Sequence, residues 1–188
     1  MRDKVATEKN NHSLQPRIIL QRIALLSDTH NYLPPAIFKY LETCDQIWHA
    51  GDIGNIKIMH KLRSLKPVKA VYGNIDGQDI RTEYQKNERW MCENVEILMT
   101  HIGGYPSHYS PEALELINQK PPQLFICGHS HILKVMFDKK YNHLHINPGA
   151  AGIHGFHKVI TFVRFTIDND KIKDLEVIEL GERGEKKE

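Results

Sequence analysis

This sequence of 188 residues has few cysteines, no long apolar run and no large excess of charge of one sign, and each of these absences argues against a class of protein. Only three cysteines are present, Cys44, Cys92 and Cys127, and no two of them form a Cys-x-x-Cys pair. The number is odd and far below that of a disulfide framework, so we predict buried free thiols in a reducing compartment, the cytoplasm. No apolar run is long enough to span a membrane, and no secretory signal is visible.

A large excess of charge of one sign is also missing. The formal net charge is +2 and the sequence pI is about 8.4, which argues against a strongly cationic nucleic-acid surface but leaves a local basic patch open. The length suits one domain with a core, and no repeat or low-complexity linker interrupts it. We predict a domain at residues 17–180, between a disordered leader or tag at residues 1–16 and a charged, solvated tail at residues 181–188.

Five short apolar runs each lead into a residue that can bind a metal ion. The segments that follow these runs are Asp28-Thr29-His30, Gly51-Asp52, Gly73-Asn74-Ile75-Asp76, His101 and Gly128-His129-Ser130-His131. A single Gly-Asp pair means little, because most such pairs are turns. In open α/β sheets, however, ligands bind at the carboxyl ends of the strands, so five such ends predict one common site.

Apolar periodicity predicts strands that alternate with helices in the first half of the chain. Helical spacing at residues 36–41 and 56–62 separates three strands, which implies right-handed crossovers and a largely parallel sheet. In the second half we predict a hairpin around Glu93-Asn94, a helix from Pro111 to Gln119 capped by Ser110, and strand pairs at residues 132–146 and 158–180. The pattern therefore predicts an α/β fold with two packed mixed sheets flanked by helices.

The residue types predict the chemistry of the site. Asp28 and His30 are two positions apart, as are His129 and His131, and in extended backbone such pairs point to the same side. Carboxylate, imidazole and side-chain carbonyl groups form a mixed donor set that suits Mn²⁺, Fe²⁺, Co²⁺ or Zn²⁺ better than Ca²⁺. Seven such side chains are too many for one tetrahedral ion and suit two ions that share a bridge.

This series of motifs resembles that of the calcineurin-like metallophosphoesterases, in the same order along the chain. Its short length is similar to the small prokaryotic phosphodiesterase branch of the YfcE type, which also includes the phosphoesterase-fold subunit of the retromer coat. Asn147-Pro148-Gly149-Ala150 is similar to the Asn-Pro-Gly-Ser of that branch. The resemblance covers about residues 22–165 and implies a four-layer αββα sandwich.

The resemblance also implies a role for each motif residue. One divalent ion is bound by Asp28, His30 and His131, a second by Asn74, His101 and His129, and Asp52 bridges both. We further predict catalytic roles for Asn74 and His101, with manganese as the preferred ion and Fe, Zn, Co, Ni or Mg as alternatives.

The implied reaction is hydrolysis of a small or nucleotide-like phosphodiester by a hydroxide that bridges the ions and attacks phosphorus in line. No further basic cluster is visible at the motif ends, so we expect diesters to be preferred over monoesters. Nucleic acid as a substrate and a homo-oligomeric state are left open, and no membrane association is indicated.

One position departs from the family pattern. Many relatives carry a histidine that protonates the leaving group, but this chain has Ile75, which cannot donate a proton. The aspartate that pairs with that histidine in relatives is still present, as Asp76. His108 and His154 are alternative proton donors, because they lie in loops near the motifs. The lost histidine also keeps a second interpretation open, in which the fold serves as a binding or scaffold protein with weak or no catalysis.

Four other histidines have structural interpretations. His49 follows Trp48 in a buried run, and we expect it outside direct contact with the ions. His60 is expected on a helix surface, whereas His143 and His145 share one strand face that we predict to be solvated or in an interface. Residues 101–106 are predicted to form a flexible loop beside the site.

Overall fold

Apolar runs and helical repeats alternate in the first half of the chain, and the fold follows that alternation. The structure is a computed structural model that describes residues 20–184. Three parallel strands come first, β1 (Gln21–Leu26), β2 (Gln46–His49) and β3 (Val68–Ala70). The helices between and after them are α1 (Phe38–Leu41), which continues a 3₁₀ turn at Pro35–Ile37, α2 (Ile56–Arg63) and α3 (Gln78–Glu83).

The second half consists mainly of strand pairs, as predicted. Its strands are β4 (Asn87–Cys92), β5 (Val95–Thr100), β6 (Gly104–Tyr105), β7 (His108–Tyr109), β8 (Leu124–Ile126), β9 (Leu133–Asp138), β10 (His143–Pro148), β11 (Val159–Asp168) and β12 (Lys171–Glu182). Helix α4 (Pro111–Gln119) begins as predicted, because Ser110 Oγ accepts a hydrogen bond from the Ala113 N–H at 3.2 Å and Pro111 occupies the first turn.

Apart from β6 and β7, which pair with each other, the strands form two mixed sheets of five strands each. The strand order is β12-β11-β1-β2-β3 in the first sheet and β4-β5-β8-β10-β9 in the second. In each sheet a parallel set is joined by antiparallel neighbours, namely β11 and β12 in the first and β4 and β9 in the second. The predicted α/β class with two mixed sheets is therefore confirmed.

Three apolar cores separate four layers. Ala24 and Leu26 of β1 pack in the core that α1 and α2 share with the first sheet, while Ile23 and Leu25 face the second sheet. This division follows from the alternation of side chains across a strand. On the far side, α4 packs on the second sheet through Ile117. The order of layers is that of the expected sandwich, with helices outside two packed sheets.

Several details differ from the prediction. Residues 101–106, expected as a flexible loop, lead into the β6–β7 hairpin, where the rings of Tyr105 and His108 stack at 4.8 Å between centroids. Helix α3 has no counterpart in the prediction, because Ile80 is its one buried residue and a single apolar residue gives no periodic signal. Strand β12 extends to Glu182, into the segment predicted as a tail. The leader predicted at residues 1–16 lies outside the described residues.

The prediction for His143 and His145 is wrong. Both side chains are fully buried against Phe125 and Tyr109, on the face of the second sheet that carries α4. The Tyr109 hydroxyl donates to Asp138 Oδ2 at 2.7 Å and accepts from His143 Nε2 at 2.9 Å. Burial lowers the pKa of His145 to about 4, so its ring is neutral at neutral pH. Tyr109 in β7 covers this face, which the pattern of β10 alone does not reveal.

The predictions of buried free cysteines and of a surface position for His60 agree with the structure. All three cysteines are buried and free, and burial raises the pKa of Cys127 to about 12. His60 is exposed on α2. Within residues 20–184, no helix combines the length and the apolar character needed to cross a membrane.

Candidate metal centre

Five strands, β1, β2, β3, β5 and β8, each end shortly before one of the predicted motifs. The structure gathers the motif side chains into two groups, and within each group the ligand atoms lie within 4.8 Å of one another. The Asp28 group contains Asp28, His30 and His131, and the Asp52 group contains Asp52, His101 and His129. Asn74 joins the Asp52 group, because its Oδ1 atom lies 3.1 Å from His101 Nε2. The predicted ligands are thus brought together at one site.

Asp52 stands between the two groups. Its Oδ1 atom lies 3.1 Å from His101 Nε2, and its Oδ2 atom lies 3.7 Å from His30 Nε2. The backbone N–H of Ile75 donates to the same Oδ1 atom at 3.1 Å and fixes the orientation of the carboxylate. One oxygen therefore faces each group, which is the arrangement that a bridging ligand requires.

The backbone at five of the seven predicted ligands is left-handed and not extended. The φ angles are 53° at Asp28, 44° at His30, 53° at Asp52, 67° at His129 and 58° at His131. Residues other than glycine seldom adopt this region, and such strain concentrates at functional sites. Asp28 and His30 do converge on one group, whereas His129 and His131 enter different groups. The expected extended backbone is wrong, because these residues lie in left-handed turns after the strands.

Gly73 is required by its close packing against Asp52. A Cβ atom on Gly73 would lie 2.0 Å from Asp52 Oδ1 and 2.3 Å from the Asp52 backbone nitrogen, so only glycine lets this turn reach the carboxylate. Asp76 holds the same turn, since its two carboxylate oxygens accept from the N–H groups of Gly54 and Gly73, each at 2.7 Å. Asp76, expected to be left without an imidazole partner, is therefore satisfied by backbone.

The Asp52 group contains a position that suits a positive charge. His101 Nδ1 lies 2.8 Å from Ala50 O, and a carbonyl oxygen can only accept, so Nδ1 carries a proton. In the neutral ring, His101 Nε2 then carries no proton, and its lone pair faces Asp52 Oδ1 and Asn74 Oδ1, each 3.1 Å from the nitrogen. Acceptors that face one another in this way repel unless a positive charge lies between them.

Without a metal ion, the surroundings of His101 favour a second proton on its ring, at Nε2. Burial alone would lower the pKa of His101, but the hydrogen bond to Asp52 and the charges of Asp28 and Asp52 outweigh burial and raise it. Burial alone would raise the pKa of Asp52, yet the hydrogen bond and charge of His101 hold it below its usual range. A metal ion in this position would displace the proton, so ion binding is coupled to proton release.

The Asp28 group has the same lack of positive charge. Asp28 is fully buried, and its Oδ1 atom has no hydrogen-bond partner among the described residues. This oxygen lies 3.2 Å from His131 Nε2, which in turn lies 3.2 Å from His30 Nε2. A buried carboxylate without a partner is costly, and two imidazoles beside it complete a donor set that fits a divalent ion.

His49 lies beside the site but has no nitrogen left for an ion. The Gly51 N–H donates to His49 Nδ1 at 3.2 Å, so the ring proton is on Nε2. Nε2 donates to Thr29 Oγ1 at 3.0 Å, and that hydroxyl donates to Ile53 O. Burial lowers the pKa of His49 to about 4, which keeps the ring neutral. These contacts support the expectation that His49 does not bind the ions directly.

Of the two alternative proton donors, the structure brings His154 to the site. The His154 ring centroid is 5.2 Å from that of His30, and the side chain lines a cavity beside the Asp28 group. His108 is exposed on the β6–β7 hairpin and stacks there on a tyrosine. Ile75, which stands at the motif position where a histidine acid was considered, is apolar and 46% exposed.

Two cavities border the site and share no lining residue. The first, of about 500 Å³, is lined by Tyr72, Gly73, Asn74, Arg81, Lys86, Thr100, His101, Ile102, Ser110, Pro111 and Glu112. The second, of about 460 Å³, is lined by His129, Ser130, His131, Ile132, His154, Gly155, Phe156 and His157. Each cavity thus has two of the predicted ligands in its wall.

Arg81 and Lys86 were missed, because no basic cluster was expected at the motif ends. The Arg81 guanidinium donates to Asp76 O at 2.7 Å and to the carbonyls of Gly73 and Asn74, both at 3.2 Å. Lys86 forms an ion pair with Glu112, which offsets its charge. Arg81 lies on α3, and the lack of a sequence signal for that helix explains why its proximity was not predicted.

Comparisons with known proteins identify the family. Residues 22–170 match the model of the calcineurin-like phosphoesterase superfamily domain. A probable metallophosphoesterase of Methanothermobacter thermautotrophicus is 26% identical over 164 residues, which cover 85% of this chain and 92% of that protein.

Among solved structures, a single mutant of Vps29 from Entamoeba histolytica aligns with a TM-score of 0.67 at 19% identity, over 85% of this chain and 99% of its own. An archaeal phosphodiesterase aligns with a TM-score of 0.60 at 24% identity, over 85% of this chain and 99% of its own. Both share the fold. Because the family model matches most of the sequence, this chain belongs to the calcineurin-like phosphoesterase superfamily.

Proposed function

We propose that the protein is a phosphodiesterase that uses two divalent metal ions to hydrolyse a small or nucleotide-like phosphodiester. The observation that carries this proposal is the position of Asp52, whose two oxygens face different donor groups. Membership of the superfamily supports hydrolysis of a phosphoester. The archaeal neighbour named as a phosphodiesterase supports a diester substrate.

The residues have separate roles in this proposal. Asp28, His30 and His131 would hold one ion, Asn74, His101 and His129 the other, and Asp52 both. When bound, the ions attract the phosphate ester and make a water molecule acidic enough to act as a nucleophile at neutral pH. We propose Mn²⁺, because imidazole, carboxylate and amide donors together suit borderline divalent ions.

The two cavities support a diester over a monoester. A phosphodiester has two substituents, and phosphorus held between the donor groups would direct one substituent toward each cavity. A monoester would leave one cavity unused and would bring a second negative charge. Lys86 offers little compensation for that charge because it pairs with Glu112, and the backbone carbonyls beside Arg81 partly offset the charge of its guanidinium.

We propose that His154 holds the proton needed by the leaving group. Its ring opens onto the second cavity beside the Asp28 group, where a departing alkoxide would be accessible. Ile75 cannot serve in this way, although its backbone N–H still orients Asp52. Residue 75 therefore still orients Asp52 through its backbone, but its side chain cannot act as the acid.

A second candidate is a binding or scaffold protein. Large apolar side chains stand exposed around the second cavity, with Ile132 at 62% and Phe156 at 102% exposure, as expected of a docking surface. Vps29 structures also share the fold. The buried Asp28 Oδ1 atom, which has no hydrogen-bond partner among the described residues, favours the enzyme, because a scaffold has no use for a carboxylate oxygen that destabilises its core. We also propose a cytoplasmic location, based on the buried free thiols.

Hydrolysis of bis(4-nitrophenyl) phosphate and 4-nitrophenyl phosphate by the Mn²⁺-loaded protein tests the proposal. We expect the diester to be hydrolysed faster than the monoester at neutral pH, and Asp52→Asn to lose both activities. A preference for the monoester would overturn the proposed substrate class. A folded, metal-loaded protein that hydrolyses neither ester would favour the binding protein.

A further inference from the structure

His157 contacts the side of His131 that faces away from the Asp28 carboxylate. The Nδ1 atoms of His157 and His131 lie 3.3 Å apart, and His157 Nε2 lies 2.9 Å from Gly152 O. The motif series assigns no role to position 157, which follows the last motif in the chain. Its contacts nevertheless connect it directly to a proposed metal ligand.

The Gly152 carbonyl determines which nitrogen of His157 carries the proton. A carbonyl oxygen can only accept, so His157 Nε2 is the N–H donor. In the neutral ring, His157 Nδ1 is then an acceptor, and the donor that faces it is the Nδ1–H of His131. With its proton on Nδ1, His131 directs the lone pair of Nε2 toward Asp28 Oδ1 and His30 Nε2, each 3.2 Å away.

We propose that His157 is a positioning residue that holds His131 in the tautomer required for metal binding. The inference rests on the proposed metal centre. The Asp52 group uses a simpler form of the same arrangement, since His101 Nδ1–H donates directly to Ala50 O. A ligating histidine usually donates its second N–H to such a partner, and loss of the partner typically weakens metal binding by about 10–100-fold.

The backbone before His157 is shaped around the His131 ring. Gly155 has a φ angle of +125°, and a Cβ atom at this position would lie 2.2 Å from His131 Nδ1. Glycine is therefore needed for the segment to approach the ring. This close approach lets His157 reach the Nδ1 side of His131, while Gly152 holds the far nitrogen of His157.

Two variants separate hydrogen bonding from packing. His157→Phe keeps the aromatic contact with His131, whose ring centroid is 5.3 Å away, but removes the acceptor. His157→Asn keeps an acceptor oxygen near the position of Nδ1. Calorimetric titration with Mn²⁺ should show one ion bound about 10–100-fold more weakly by His157→Phe, with most of the affinity restored in His157→Asn. Ile153→Ala, in the same segment with an exposed side chain that lines neither cavity, is the matched control and should retain both affinities.

The tautomer is also measurable without any variant. Long-range ¹H–¹⁵N NMR of the metal-free wild-type protein at pH 8 should show His131 protonated on Nδ1 and His157 protonated on Nε2. His131 protonated mainly on Nε2, or unchanged Mn²⁺ affinities in His157→Phe, would overturn the inference. A wild-type protein that binds no Mn²⁺ would instead overturn the proposed metal centre, so the two failures are distinguishable.

Discussion

The Oδ1 atom of Asp28 lies 3.2 Å from the Nε2 atom of His131, and no hydrogen-bond donor among the described residues reaches that oxygen. Asp28 is fully buried, so without an ion the protein holds an unpaired carboxylate oxygen in its interior. Such an arrangement lowers the stability of the folded state. The same atoms that destabilise the metal-free protein are the ones that an ion would bind, which predicts opposite effects of mutation on stability and on metal affinity.

Asp28→Asn should therefore stabilise the metal-free protein and weaken metal binding. The amide retains an oxygen for the His129 N–H, which donates to Asp28 Oδ2 at 3.1 Å, and it adds an N–H for His131 Nε2. We expect the free energy of unfolding in EDTA to rise by about 1–3 kcal/mol in urea denaturation. Asp45→Asn, which removes an exposed ion pair with Arg22, is the control and should give no such gain. Lower stability of Asp28→Asn would contradict this account of the Asp28 group.

His49→Phe should retain both metal ions, whereas His101→Phe should lose one. Both ring nitrogens of His49 are engaged by Gly51 and Thr29, so the ring has no lone pair to offer. The variant should lose about 1–3 kcal/mol of stability, because it leaves the buried Gly51 N–H without an acceptor and removes the donor to Thr29 Oγ1. Metal content after dialysis, measured by mass spectrometry, distinguishes the two variants. An ion missing from His49→Phe would place this residue among the ligands.

His154→Ala should slow hydrolysis of alkyl diesters by about 10²–10⁴-fold while changing aryl diesters little. An alkoxide needs a proton to depart, but a nitrophenolate leaves readily without one. Adding Ile75→His to this variant should restore alkyl turnover, because position 75 borders Asp52 and is exposed enough to accept an imidazole. The readout is the ratio of aryl to alkyl rates in metal-loaded, folded protein. An unchanged ratio in His154→Ala would mean that another group supplies the proton.

The composition of the site was predictable because it depends on strand ends. Parallel strands deliver their carboxyl ends to one edge of each sheet, and both sheets contribute such ends to the site, so residues such as Asp52 after β2 and His101 after β5 could be expected together without knowing any loop. The left-handed turns at Asp28 and His131 were not predictable, since aspartate and histidine adopt that conformation only when the surrounding structure requires it. The sequence therefore indicated which residues lie close together, but it gave them the wrong local backbone.

Contacts from elements distant in sequence account for the other differences. Strand β10 alternates in a way that suits either a solvated or a buried face, and Tyr109 from another part of the chain decides which. The role proposed for His157 likewise depends on its contacts with Gly152 and His131. No sequence motif indicates that these residues contact His157. Both cases show that side-chain periodicity identifies an element but not what covers it.

The burial of His145 should make stability depend on pH. Burial lowers its pKa in the folded state to about 4, compared with about 6.5 in the unfolded chain. Between these values the unfolded chain binds a proton that the folded chain does not, so stability falls as pH decreases from about 6.5 to 4, by roughly 3 kcal/mol for this residue. In urea denaturation, His145→Phe should lose less stability than the wild type over that range. Phe125→Leu, a neighbouring core change without a titratable group, should keep the wild-type pH dependence; an equal dependence in His145→Phe would refute the prediction.

Anomalous diffraction from crystals of the Mn²⁺-loaded protein tests most directly the proposal that Asp52 bridges two metal ions. We expect two anomalous peaks about 3.5–4 Å apart, one beside Asp28, His30 and His131 and the other beside Asn74, His101 and His129, with one Asp52 oxygen bound to each. Asp52→Asn crystals should show weaker or missing peaks, because the bridging charge is lost. A single peak in the wild-type protein, or two peaks without Asp52 bound to both, would contradict the claim.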